Sequence, residues 1–129
     1  MSKQEIELLR HVYDDWAQGD FHSGRDLLDD DLEFRMGGPR FEPAQGRAAF
    51  EEQLREFFEA WADYSIEARD FVEAGDKVLV ECRQRGHGKG SAEEVDAQVF
   101  AVWTFRNQKV VGLQFFSDEQ KARGAAGLG

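Results

Sequence analysis

Cysteine is nearly absent from this chain. Cys82 is the only one in 129 residues, which excludes an internal disulfide and fits a reducing cytoplasm. Positive charge is scarce as well. Lys and Arg number 16 against 26 Asp and Glu, for a net charge of −10. Phosphate backbones are held by clustered Lys and Arg, so nucleic acid is not an expected partner. Nor is there a long apolar run. The longest, Val99-Phe100-Ala101-Val102-Trp103, falls far short of the ~20 residues that span a bilayer. The start, Met1-Ser2-Lys3-Gln4-Glu5-Ile6, has no apolar signal-peptide core. These absences predict a cytoplasmic protein with no membrane partner. The three histidines, His11, His22 and His87, fall on separate elements without ligand spacing, so neither a metal nor another cofactor is expected.

What is present is a core. Apolar residues make up 41% of the chain, with 11 Phe and 3 Trp, too many aromatics for a disordered acidic tail. A chain of this length forms one domain, here residues 1–129, and buries roughly two-thirds of its unfolded surface. Its halves differ: residues 1–64 hold 7 basic and 16 acidic side chains, and residues 65–129 hold 9 and 10. The hydrophobic period changes from helical to alternating at about the same point. That predicts an α+β fold with three N-terminal helices packed on a mostly antiparallel sheet.

Ser2-Lys3-Gln4-Glu5 matches a capping box, after which Ile6, Leu9, Tyr13 and Trp16 recur at helical spacing, and Gly19 can close the helix. Asp20 is the expected cap of a short second helix carrying Phe21, Leu27 and Leu28 and ending at Asp29-Asp30-Asp31. Leu32 to Met36 alternates as a strand, broken at Gly37-Gly38-Pro39. A third helix from Gly46 carries the stripe Phe50, Leu54, Phe57 and Trp61. Strands follow at Tyr64–Glu73, Val78–Arg85, Val95–Arg106 and Lys109–Asp118, with the last two joined at Asn107-Gln108. The tail at Gly124-Ala125-Ala126-Gly127 reads as frayed.

Strand side chains alternate between faces. Val78, Val80, Cys82, Val99, Ala101, Trp103, Phe105, Val111, Leu113 and Phe115 therefore belong under the helices. Leu79, Phe100, Val102, Val110 and Phe116 fall on the outer face among polar residues. A half-apolar outer face needs a cover, and a second copy of the chain, a homodimer through that face, is the simplest one. The C-terminal tail is the alternative.

Several segments, in this order, resemble the SnoaL-like family. They are Ala17-Gln18-Gly19-Asp20-Phe21, Asp30-Asp31-Leu32-Glu33-Phe34, Gln45-Gly46-Arg47, Glu73-Ala74-Gly75-Asp76-Lys77-Val78, and Val102-Trp103-Thr104-Phe105 with Lys109-Val110-Val111. The resemblance covers roughly residues 5–128. The family belongs to the nuclear transport factor 2-like superfamily, with ketosteroid isomerase and scytalone dehydratase. It implies a cone-shaped fold with an apolar pocket, commonly dimerised through the outer sheet face. It does not imply one activity, since the superfamily holds isomerases, cyclases, hydrolases, dehydratases and non-catalytic binders.

Ketosteroid isomerase uses a carboxylate base with a Tyr and a protonated Asp. The matching positions here are Met36, Val12 and Ala101, all apolar. No Arg-x-Asp of the limonene epoxide hydrolase type lies on a strand, and Ala101 stands where many relatives carry His. Asp118 is the remaining candidate general acid or base, beside Phe115 and Phe116. The competing role, capping a helix from Glu119, needs only local geometry. Tyr13 is the second candidate catalytic residue, as a hydrogen-bond donor. The expected ligand is a small apolar molecule of ring type. Its pocket would be lined by Val12, Trp16, Phe34, Met36, Trp61, Val80, Cys82, Gln84, Val99, Ala101, Trp103 and Phe115. An enzyme of cyclase, isomerase or hydrolase type using Asp118, and a filled structural dimer, are the alternatives.

Overall fold

A computed structural model of the chain describes residues 3–36 and 43–128. The proposed Ser2 cap and the Gly37-Gly38-Pro39 break lie outside them. Helix α1 spans Lys3–Ala17; it buries Leu9, Val12 and Tyr13 from its apolar stripe. It ends where Gly19 takes φ 95° and the Gly19 and Asp20 amides fold back onto the Trp16 and Asp15 carbonyls, a closure that the missing Cβ of glycine permits.

The expected second helix does not form. Asp20 Oδ1 accepts the His22 amide at 3.2 Å, a side-chain turn rather than a helix cap. Gly24 then adopts φ 90°, and only one 3-10 turn, Arg25–Leu27, precedes extended backbone at Leu28. Strand β1 therefore begins earlier than expected, spanning Leu28–Arg35, and Asp29-Asp30-Asp31 are strand residues. Within that acidic stretch Asp29 Oδ1 takes the Asp31 amide at 2.9 Å, and the register of β1 shifts between Leu28 and Glu33. Side-chain competition for backbone donors accounts for both departures.

After the two-residue strand β2, Ala44–Gln45, helix α2 spans Arg47–Glu59. Strand β3, Trp61–Ala74, starts directly afterwards, so Trp61 opens a strand instead of ending a helical stripe. The remaining strands are β4, Lys77–Gly88; β5, Glu94–Arg106; and β6, Lys109–Phe116. Helix α3 is Glu119–Ala125. The three α-helices among the described residues are thus distributed along the chain, one of them, α3, after the last strand, rather than gathered before the sheet. The sheet runs β2-β1-β6-β5-β4-β3. Among the described residues only β1 with β6 is parallel, while the other pairs are antiparallel. Register shifts in β3 at Trp61/Asp63 and Ala68/Asp70 are the kind that bend a strand.

Asn107 and Gln108 both take positive φ, 53° and 66°, the two-residue turn that suits a twisted hairpin. Beside it the register slips between Thr104 and Phe105, so Phe105 faces Val110. That slip corrects the expected phase. Val110 is fully buried on the helix side, and Val111, expected there, is not part of that cluster. A one-residue slip reverses which face a side chain occupies.

The outer face also has a cover. Leu79, Phe100 and Val102 pack with Ala122 and Ala126 in a second apolar cluster, flanked by Val72, Phe116, Ala125 and Leu128. The C-terminal stretch is therefore folded rather than frayed. The Leu128 amide closes α3 onto the Arg123 carbonyl at 2.8 Å. Part of the surface assigned from the sequence to a second copy is covered by the chain's own tail. Among the described residues no helix is long and apolar enough to cross a membrane.

Candidate functional site

The inner sheet face, the 21–28 segment and α2 enclose a cavity of about 330 Å³. Its wall is aromatic. Trp16 comes from α1, Phe21 from the turn after it, and Phe50, Phe57 and Phe58 from α2. The strands supply Tyr64, Trp103, Phe115 and Phe116. These rings brace one another edge-on or tilted: Phe21 and Phe58 are 4.8 Å apart between centroids, Phe57 and Tyr64 5.2 Å. Such pairs hold their positions beyond simple burial. Leu28, Met36, Leu54, Ile66 and Val99 complete the apolar lining.

Polar groups are few. Tyr64 hydroxyl donates to Gln84 Oε1 at 2.9 Å. Burial raises the Tyr64 pKa above its ordinary value, so this hydroxyl stays a donor at neutral pH. With its oxygen engaged, the Gln84 amide nitrogen is the group left to donate to a ligand. Ser23, Arg25 and Ser117 also line the cavity. The Ser23 hydroxyl is committed to Asp15 Oδ2 at 2.6 Å, and its carbonyl takes Trp16 Nε1–H at 3.0 Å. No Asp, Glu or His belongs to the lining among the described residues, nor do three or more such groups gather as a metal site.

Of the residues expected to line a pocket, Trp16, Met36, Gln84, Val99, Trp103 and Phe115 do so. Val12, Phe34, Val80, Cys82 and Ala101 are buried beside it in the core. Val12 packs against Gly24, where a Cβ would stand 3.0 Å from a Val12 methyl. Phe34 lies behind Phe50, centroids 5.1 Å apart. Trp61 stands one ring out, 4.9 Å from Tyr64.

Tyr13 is behind the wall. Its buried hydroxyl accepts Trp103 Nε1–H at 2.9 Å, while the neighbouring Cys82 thiol donates to the Val80 carbonyl at 3.8 Å. Burial holds the Tyr13 pKa well above its usual value and pushes Cys82 up to about 12, so both stay protonated near neutrality. The Cys82 thiol is therefore a weak nucleophile as well as a buried one. Asp118 is exposed and outside the lining, and its Oδ1 accepts the Lys121 amide at 3.1 Å as the cap of α3. Substituting Asp118→Ala should cost about 0.5–2 kcal/mol in urea unfolding, while Asp118→Asn, which keeps an accepting oxygen, should cost little. Equal losses from the two variants would count against the cap.

Other lining residues lie outside the expected set. Tyr64 and Ile66 sit opposite Gly86 and Gln84 in the ladder, and period-two counting along β3 puts both on the inner face. Phe50, Leu54 and Phe57 stood on the recognised helical stripe. Phe21 and Arg25 come from an irregular turn that has no period to read. Away from the cavity, on the exposed surface, His87 backbone and ring nitrogens bond the Asp63 carboxylate at 2.6–3.1 Å. Those hydrogen bonds hold Asp63 below the usual carboxylate range.

Comparison with known proteins comes to three findings. The model of the SnoaL-like domain matches residues 9–113. No curated protein matches the chain. Solved structures of the same fold are numerous. One is a nuclear transport factor 2-like protein of unknown function from Burkholderia pseudomallei, with TM-score 0.79, 16% identity, and coverage of 96% of this chain and 97% of that one. A putative SnoaL-like polyketide cyclase from a Jannaschia species gives TM-score 0.77 at 18% identity, covering 98% and 95%. TerC, co-crystallized with polyporic acid, gives TM-score 0.74 at 18% identity, covering 95% and 98%. Identities this low establish a shared fold.

Proposed function

This chain belongs to the SnoaL-like domain family, and from that premise we propose that it binds a small, largely apolar ring compound in the cavity beneath its sheet. The observation that carries this reading is the aromatic wall around about 330 Å³ of space, with the Gln84 amide as a fixed polar group. Sites for small organic ligands have this composition: mostly apolar and aromatic walls with a few placed donors. The volume lies at the small end of the ~300–1,000 Å³ typical of such pockets, which favours a fused-ring molecule over a long chain. Family context agrees in kind, since one protein of this fold is described as a putative polyketide cyclase and another was co-crystallized with polyporic acid.

Binding is favoured over acid–base turnover by what lines the cavity. Proton transfer needs a titratable group within hydrogen-bond reach of the reacting atom. Met36, Val12 and Ala101, at the ketosteroid isomerase positions, are apolar, and Asp118 is engaged as a helix cap.

The test is a thermal-shift series with neutral fused-ring amides and ketones, read alongside tryptophan emission. Trp16 and Trp103 both line the cavity, so a bound ring should change their fluorescence. A ligand at about 100 times its dissociation constant should add about 2.7 kcal/mol. Gln84→Leu should weaken a carbonyl-bearing ring compound by about 0.5–1.5 kcal/mol while sparing its hydrocarbon analogue. A series giving neither a melting shift nor an emission change would overturn the proposal.

A further inference from the structure

The chain carries 26 acidic residues, yet none of those described lines the cavity, whose single charged lining residue among the described residues is Arg25. Arg25 opens the 3-10 turn that follows Gly24, and its side chain is only 22% exposed. Its Nη2 donates to the Phe21 carbonyl at 3.3 Å, which anchors the head group beside a cavity ring. Its ion-pair partner is Glu51, at 3.5 Å from Nη1, and Glu51 is 43% exposed. Charge-assisted bonds of this type close to about 2.7–2.9 Å when well made. The pair is therefore loose and reaches toward water, while three of the five guanidinium N–H groups have no partner among the described residues.

Resting on the binding reading above, we infer that the ligand is an aromatic carboxylate, its ring system held by the aromatic wall and its anionic group by Arg25. An anion entering a mostly apolar cavity loses hydration at a cost that only a charged, correctly shaped donor offsets. A guanidinium presents paired parallel N–H groups that match a carboxylate. Glu51 is the counter-ion that a ligand carboxylate displaces, and its own half-exposure lets it return to water. The same lining disfavours amines, because the cavity offers an ammonium group no carboxylate.

The experiment compares naphthoate with naphthamide, two ligands of nearly equal shape that differ in charge, by calorimetry on the full chain. The wild type should bind naphthoate at least about tenfold more tightly, the range of a hydrogen bond to a charged group. Arg25→Met should abolish that preference, with an unchanged cooperative melting transition showing that the variant is folded. Glu51→Gln should strengthen naphthoate binding alone. If the wild type binds the amide as well as the acid, the carboxylate assignment is overturned and the ring-binding cavity stands. If neither compound binds, both fall.

Discussion

Replacing Trp103 by Ala is expected to cost about 3–5 kcal/mol of folding stability, the range for emptying a buried aromatic site. That is a large share of the about 5–15 kcal/mol by which domains are stable. Trp103 is 3% exposed and stands at a junction. Its indole lies 6.0 Å from the Tyr13 ring at 78° and 5.9 Å from Trp16 at 37°, and its Nε1–H is the donor to the buried Tyr13 hydroxyl. Removal enlarges the cavity, withdraws the ring contacts and leaves the Tyr13 hydroxyl without its donor. Trp103→Phe separates these effects. It keeps most of the apolar volume and should cost about 1–3 kcal/mol, mainly for the unpaired polar partner. Urea unfolding of the three proteins checks both figures. A Trp103→Ala loss below about 1 kcal/mol would show that the ring is not a structural wall.

The second large effect is expected at Gly86→Ala. Gly86 pairs with Tyr64 across β3 and β4, where Trp61 folds over the strand. An added Cβ would run into the Asp63 carbonyl oxygen and stand 2.9 Å from the Trp61 ring. A long side chain could swing away, but a backbone carbonyl within a ladder cannot move without moving its strand. Overpacking of this kind costs about 1–3 kcal/mol, occasionally more. The displaced strand carries Tyr64 of the cavity wall, so the affinity for the proposed ring ligand should fall together with the denaturation midpoint. Gly124→Ala supplies the contrast, since a Cβ there meets nothing within 4 Å and a helical Ala is worth up to about 1 kcal/mol over Gly. A Gly86→Ala protein as stable as its parent would refute the close approach.

Local periodicity made much of this structure legible. The stripe of Ile6, Leu9, Tyr13 and Trp16 gave α1, and the alternation from Val99 to Phe105 predicted the inner face of β5, where Ala101 faces Val80 and Trp103 faces Val78. Val95, expected on that face, is exposed at the strand's start. What escaped was set by interactions that patterns do not encode. Asp20 carries the chemistry of a helix cap but spends its oxygen on a turn. Val110 changes face because one register step is lost beside the hairpin. The site was half legible for the same reason. Residues on strands and helices, such as Gln84, Val99 and Phe115, were readable from phase. Whether a core residue borders empty space depends on what packs above it, and that separates Met36 from Val80. Phe21 and Arg25 entered the wall through an aperiodic turn.

The parallel pairing of β1 with β6 bears on how the molecule is assembled in time. Strands β3 to β6 form a meander whose neighbours are adjacent in sequence, so their contacts close short loops. Leu28, in contrast, finds its partner at Val110, and closing so long a loop carries a larger entropic cost. On a ribosome, β1 leaves the exit tunnel early and waits for nearly all the rest of the chain before it has an edge to join. The cavity beneath the sheet, bounded by Leu28 and Met36 on one side and Phe115 on the other, is consequently a late product of folding. A nascent chain halted before β6 would hold its hairpins but no chamber.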